Sequence, residues 1–527
     1  MIAVNPFGQG SPGSLKESNL LAFIPQRIVF AILNKLSLRD LLRCKQTCRF
    51  LCRLVEGFPS LQYTIELAAA GMDDNSRSKM SPTTKLTLLR KYQATWSELD
   101  WTTLSGYCTQ TYNDGYWEFT CGILSQVVED KSLCFVRPSA SMANVLPVIS
   151  WTLHFDMKFI SHFVDPYQDL LLIIVNQDET PHAIIRSLSA GGAHPRAQIP
   201  ALTLQGPPGS SDEFHVYGDT LGLLSNWNVS GWSGSIFTLW NWCTGDVILS
   251  YDSVIHSDTQ FESEGIVRRD FTNFTFLDDK HIALSACLID DEQLASAALI
   301  QVIDISKGAE AFSSAINFYL PSLSDKANIS MLGMARNATP PETTTHDLKH
   351  YPFCRTNDDS AVIFVIMETK NRTCEDYECI PLFIQTGGLL RAYTAASASN
   401  IPWEDWGPDS SRWMRDLYVK DLKMCTFGSK HVWANVGFLV VADFNPLGEL
   451  ANEVFPNGKS DGVNGSVEMK PSSADLWSLS SPLVTKLPYR MFSTQLWVGD
   501  ETSAVYFSED TVMINDDHEQ FHIFLSL

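Results

Sequence analysis

IPQRIVFAILNKLSLRDLLRCKQTCRFLCRLV, residues 24–55, decides how this chain begins. Pro25 suits the start of a helix, where its missing N–H would have no intrahelical partner. Ile28, Val29, Ile32, Leu33 and Leu36 follow at the spacing of one apolar helical stripe. Ser37 reads as an N-cap, with Asp40 three residues on, close to a capping-box pattern. The next helical stretch carries Leu38, Leu41, Leu42, Cys44, Cys48, Leu51 and Val55 on one side and Arg39, Arg43, Arg49 and Arg53 on the other. Two or three short helices bury too little surface to stand alone, so the segment is expected to dock on something else. A plain helical hairpin capping a larger domain is the structural alternative.

Ile24-Pro25, the isoleucine-rich helix, L-S-L-R-D-L-L-R and Cys48-Arg49 together resemble an F-box, the segment that binds the Skp-type adaptor of Skp–cullin–F-box (SCF) ubiquitin ligases. The likeness spans roughly residues 20–57 and departs at Ile24, Thr47 and Leu51. It implies adaptor contacts from Ile24, Pro25, Ile28, Ile32, Leu36, Leu38, Leu41, Leu42 and Cys48. It further implies a cullin reached through the adaptor, and no cofactor.

The remaining chain differs in kind. Of 527 residues, 45% are hydrophobic and 11% aromatic, enough for several cores, and the formal net charge is −22. Residues 1–57 hold eight Lys/Arg and three Asp/Glu, or +5, so the remainder carries −22 − 5 = −27. Such an acidic body is a poor match for a phosphate backbone, and no nucleic-acid partner is expected. Twelve cysteines are scattered rather than framed, and residues 1–14 lack a signal-peptide pattern. The longest apolar runs, LLLIIV and VGFLVVA, fall short of the roughly 20 residues a spanning helix needs. A cytoplasmic or nuclear protein with no membrane partner is expected.

Four regions follow: a disordered segment at 1–19, the F-box at 20–57, a helical linker at 58–105, and a large all-β domain at 106–527. The linker carries helical patterns near 61–72 and 84–96. Beyond it, runs of four to eight apolar residues alternate with Gly, Asp, Asn and Pro turns, the mark of many short strands. IFTLWNWCTGDVILSY (236–251) reads as strand, T-G-D turn and strand, and resembles one WD-type propeller blade. LIQVIDISKGAEAF (299–312) has the same shape and LWSLSSPLV (476–484) a fainter version, while 213–226 and 274–286 look like inner-strand hairpins. The length suits a β-propeller of about seven blades. The tracts IPWEDWGPDSSRWM (401–414) and DDHEQFHIFLSL (516–527) are similar to segments of F-box/WD-like propeller proteins of mushroom-forming fungi.

Candidate chemistry is sparse. HEQFH (518–522) fits the H-E-x-x-H zinc pattern, which works only on a helix; on a strand the two histidines stand about 13 Å apart, so a last propeller strand is expected. Cys44, Cys48 and Cys52 read as helix packing, and Cys374 and Cys379 as flanking a loop. The pairs Asp278-Asp279, Asp290-Asp291 and Asp516-Asp517 read as turns. Trp227, Trp232, Trp240 and Trp242, and Trp403, Trp406 and Trp413, read as packing between blades, with a sugar- or peptide-binding platform as the alternative. No nucleophile elbow or phosphate loop is present. The expected role is a non-catalytic substrate receptor that binds a target protein. The alternatives are a scaffold outside ubiquitination and a carbohydrate-binding or hydrolytic propeller.

Overall fold

A computed structural model describes residues 24–98, 102–103, 117–336, 353–415, 417, 426–445, 464–495, 504–508, 511–515 and 521–525, with breaks at 76–77, 129–130, 138–148, 179, 207–210, 230–231, 254–265, 357–358, 436–437 and 469. The expected disordered segment, 1–19, lies outside the described residues. The chain divides into two compact units, one ending at Ile65 and one running Glu66–Leu527.

The smaller unit is helical: α1 (Gln26–Leu33), α2 (Leu38–Thr47), α3 (Arg49–Gly57) and the first part of α4 (Pro59–Ala69). Pro25 is the N-cap of α1. Ser37 caps α2, its Oγ accepting from the Asp40 N–H at 3.2 Å and donating to the Asp40 carboxylate at 2.8 Å. The stretch from Leu38 to Val55 is two helices, not one, because Cys48 is extended (φ −156°, ψ 158°). Thr47 prepares that break by donating its hydroxyl back to the Arg43 carbonyl, a bond that competes with helix continuation. Val29, Leu33, Leu41, Leu51, Leu54, Val55, Leu61 and Ile65 form one core.

In the larger unit, α5 (Pro82–Glu98) is tied to the end of α4 by the Arg90–Glu66 ion pair at 2.7 Å, with Glu66 buried. These helices are packed into the β region. Asn445 donates to the Ala69 carbonyl at 2.7 Å, and Trp96 stands edge-on to Phe507 at 5.2 Å.

The β region is a succession of antiparallel sheets, the first five built as four-stranded meanders paired in chain order. The first comprises Trp117–Thr120, Ile123–Val128, Ser132–Arg137 and Ile149–His154. The second comprises Ser161–Asp165, Leu170–Gln177, Thr180–Ser187 and Ala201–Thr203. The third comprises Ser211–Tyr217, Thr220–Val229, Trp232–Asn241 and Val247–Asp252. The fourth (Ile266–Phe276, His281–Asp290, Ala295–Asp304, Ile316–Tyr319) and fifth (Ala327–Ala335, Val362–Asn371, Tyr377–Gln385, Ser411–Trp413) are joined into one sheet by the single pair Ala295–Ile329. The sixth opens with Thr426–Phe427, Lys430–Asn435 and Phe438–Asp443, then pairs with Tyr489–Gln495 and Asn464–Glu468. In the last sheet Ala504–Phe507, Thr511–Asn515 and Phe521–Leu525 are completed by Thr102–Thr103 from the start of the unit. Consecutive meanders with an early strand completing the last sheet are the strand plan of a closed β-propeller.

Core packing follows from strand periodicity. In LLLIIV, Leu170, Leu172 and Ile174 enter a core shared with Leu221, Leu223, Trp240 and Trp242 of the third meander. The alternate residues Leu171, Ile173 and Val175 enter another with Leu133 and Phe135 of the first. A strand buried on both faces reads as a continuous apolar run rather than an alternating one. Val362, Phe364 and Ile366 likewise face one core while Ile363, Val365 and Met367 face another. Each such buried Leu, Ile or Val contributes about 1.5–3 kcal/mol.

Several local expectations change. Residues 236–251 are the expected strand–turn–strand, but 476–484 contributes only to a short pair, Ser472–Ala474 with Leu483–Thr485. Two helices sit inside the β region, α6 (Thr386–Ala395) and α7 (Trp403–Ser410), within IPWEDWGPDSSRWM in the second case. Gly407 is required there, because a Cβ would come within 2.3 Å of the Trp403 ring. Cys379 lies on the strand Tyr377–Gln385, not in a loop.

Candidate functional site

In α1 the apolar residues divide by face. Val29 and Leu33 point into the core, at 4% and 3% exposure, whereas Ile28 and Ile32 stand 52% and 53% exposed one turn apart, with Ile24 at 37%. Three exposed isoleucines at four-residue spacing make a row that the unit's own core does not use. Pro25 is exposed beside them; Leu36, Leu38, Leu42 and Cys48 are half-buried against the core. Leu41, grouped by sequence with the outward residues, is only 1% exposed and is a core residue. Arg39, Arg43, Arg49 and Arg53 are exposed, so α2 and α3 present cationic side chains to solvent.

The other candidates fall into structural roles. His518 and Glu519 lie outside the described residues, while His522 sits on the strand Phe521–Leu525, opposite Ile514. Among the described residues, no group of three or more His, Cys, Asp and Glu is placed to hold a metal. Trp242 is buried, donates from its indole to the Gly218 carbonyl at 3.0 Å, and lies under the Arg196 guanidinium at 5.0 Å. Trp406 donates to the Tyr319 carbonyl at 3.0 Å and packs at 5.3 Å on Trp403, both buried. Trp240 is buried as well. These four indoles hold sheets together and are not a solvent-facing platform.

Asp165 stands beside this packing. It accepts from the Tyr167 N–H at 3.0 Å and from Gln168 Nε2 at 2.9 Å, while Gln168 accepts from Arg196 at 3.0 Å. Burial pushes the Asp165 carboxyl up to about 6, against the hydrogen bonds and Arg196, which favour the anion. A folded-state pKa above the unfolded value means its contribution to stability is fullest below about pH 4 and is lost as pH rises through about 6. Asp165→Asn removes that ionisation cost, about 3 kcal/mol at neutral pH, less about 1–2 kcal/mol for a weakened Gln168 bond. Urea titrations at pH 5 and pH 7.5 should therefore show the variant gaining on the wild type at the higher pH. Equal differences at both values would contradict the assignment.

Residues 21–65 match the F-box-like family model, and the N-terminal helices are an F-box-like domain. No curated protein is significantly similar to the chain. Among solved structures, it is similar to the WD40 domain of SCAP from fission yeast, at 8% identity over 77% of this chain and 79% of that one, TM-score 0.30. It is also similar to the β-propeller domain of Cps50 (Swd1) from Myceliophteria thermophila, at 9% identity over 80% and 98%, TM-score 0.33. The chain thus combines an F-box-like domain with a large antiparallel β region of propeller plan.

Proposed function

We propose that this protein is a substrate-receptor subunit of an SCF-type ubiquitin ligase. The observation that carries the reading is the exposed row Ile24, Ile28 and Ile32 on an F-box-like domain. A Skp-type adaptor would bury that row and bring a cullin with it, and the β region, as a seven-bladed ring, would hold a target protein. Ubiquitin transfer would then depend on proximity supplied to other subunits, so this chain would need no catalytic group of its own. Such a complex belongs in the cytoplasm or nucleus.

Co-expression with a Skp-type adaptor, followed by size exclusion, tests this. The wild type should elute as a 1:1 complex. Ile28→Asp with Ile32→Asp should lose it by about a hundredfold or more in affinity, because two carboxylates would be left in a desolvated interface. Both residues are outside the core, so the melting temperature of the free chain should hardly move. A well-folded wild type that forms no complex would overturn the reading.

A further inference from the structure

In an antiparallel meander the turn between strands two and three lies at the same end as the connection into the next meander. That rule assigns every exposed side chain to one of two rims. The larger unit has seven exposed large apolar side chains among its described residues: Ile149, Ile160, Val247, Met331, Tyr377, Phe438 and Trp477. Ile149 and Val247 begin fourth strands and belong to the opposite rim. Ile160 precedes the second meander, and Tyr377 and Phe438 begin third strands, whereas Met331 lies at the middle of a first strand. Trp477 joins them through Ser324, which donates to its carbonyl at 3.0 Å in the connection leading into the fifth meander. Four of the seven therefore share one rim.

Part of that rim is continuous. Arg372, in the turn before Tyr377, reaches Glu292 at 3.7 Å and Asp290 at 3.9 Å in the neighbouring meander, and its N–H donates to the Lys326 carbonyl at 2.9 Å. Tyr377 (51% exposed) lies 5.4 Å from Lys370 Nζ, and Met331 (40%) pairs with Glu368 on the same three-stranded face. Asp291, Glu292, Glu375 and Asp376, in the two turns that Arg372 links, are exposed. The two turns and their flanks hold seven carboxylates and two cations, Lys370 and Arg372.

We propose that this rim, centred on Tyr377 and Trp477 and continued by Met331 on the adjoining sheet face, is where the target protein docks, through an exposed segment that sets Lys or Arg beside an apolar side chain. The apolar group would cover Tyr377 and Met331, and the cation would meet the uncompensated carboxylates. The assignment rests on the receptor reading for its biological meaning.

The test is selection of short random peptides displayed on phage against the purified full chain. Enriched peptides are then resynthesised and their affinity measured by fluorescence anisotropy. Lys/Arg-plus-apolar sequences should emerge, and Tyr377→Ala with Trp477→Ala should weaken them by about tenfold or more. Glu375→Lys with Asp376→Lys, at fully exposed positions that leave folding alone, should do the same and flatten the salt dependence. Acidic or absent consensus sequences, or unchanged affinity in both variants, would overturn the proposal. Adaptor co-elution measured on the same preparations separates the two readings. Peptide binding at the rim without an adaptor complex would remove the receptor role and keep the site; the reverse would remove the site alone.

Discussion

Asp443→Ala is expected to cost the larger unit about 3–5 kcal/mol, the loss typical of stranding a buried charge partner. Asp443 is 4% exposed and holds Arg490 at 2.7 Å, Ser429 Oγ at 2.7 Å and the Asn445 N–H at 3.0 Å. Lys430 is buried in the same network, over the rings of Tyr92 and Trp96 at 5.9 Å each. Burial lowers the Lys430 pKa while Asp443 supports its charge. Without Asp443, Lys430 sheds its proton more readily in the folded state than in the unfolded one. Stability in such a case is present above the unfolded pKa and lost as pH falls. The deficit of the variant should therefore shrink between pH 7 and pH 9.5. Urea midpoints at those two values measure it, and a loss below about 1 kcal/mol at pH 7 would show that the network contributes little.

Acidification should unfold the larger unit through two buried histidines. His431 is fully buried, bonded through Nδ1 to Thr426 Oγ1 at 2.8 Å and enclosed by Phe364 and Phe383, each 4.8 Å away. Burial drives its pKa down to about 3. His162, bonded to Ser125 Oγ at 2.7 Å, is driven down to about 4 for the same reason. Both folded values lie below the unfolded value near 6.5, so the stability they preserve is full above pH 6.5 and lost as pH falls towards 4. At about 1.4 kcal/mol per unit, His162 accounts for about 3 kcal/mol and His431 for about 4–5 kcal/mol at the acid end. Asp165 opposes them over part of that range, offsetting about 3 kcal/mol. The net fall is still a large part of a typical domain's stability. Circular dichroism melts from pH 7 to pH 4 should show it, and His431→Phe should reduce the slope by more than half. An unchanged slope would mean that the His431 ring does not stay neutral on folding.

What could be read beforehand was local. The cap at Ser37 and the apolar stripe of α1 depend on residues three or four apart, so the F-box-like helices were legible. Short apolar runs between Gly and Asp turns likewise exposed the hairpins at 213–226, 236–251 and 274–286. Periodicity alone did not say which apolar residues of α1 face outward, because Ile28 and Val29 differ little in chemistry; only the F-box resemblance pointed to Ile28 and Ile32, the exposed pair. Leu41 was misplaced for the same reason. α6 and α7 escaped because each is short, and α7 contains Gly407 and Pro408, residues that ordinarily argue against a helix. The proposed rim could not be read at all: Met331 and Tyr377 share a sheet face only through pairings between strands distant in sequence.

The pairing of Thr102–Thr103 with Phe521–Leu525 has a consequence for how the protein is made. The residues that complete the last sheet are separated by more than four hundred positions, so this contact carries a very long loop closure and is among the last to form. During synthesis the F-box-like helices leave the ribosome first and can fold while the final strand does not yet exist. The F-box-like domain can thus be complete with the ring still open. Circular permutation offers a way to alter that timetable. Joining the two ends of the β region and cutting between the strands Leu170–Gln177 and Thr180–Ser187 would make the seam a covalent hairpin, moving the vulnerable closure to a different pair of strands.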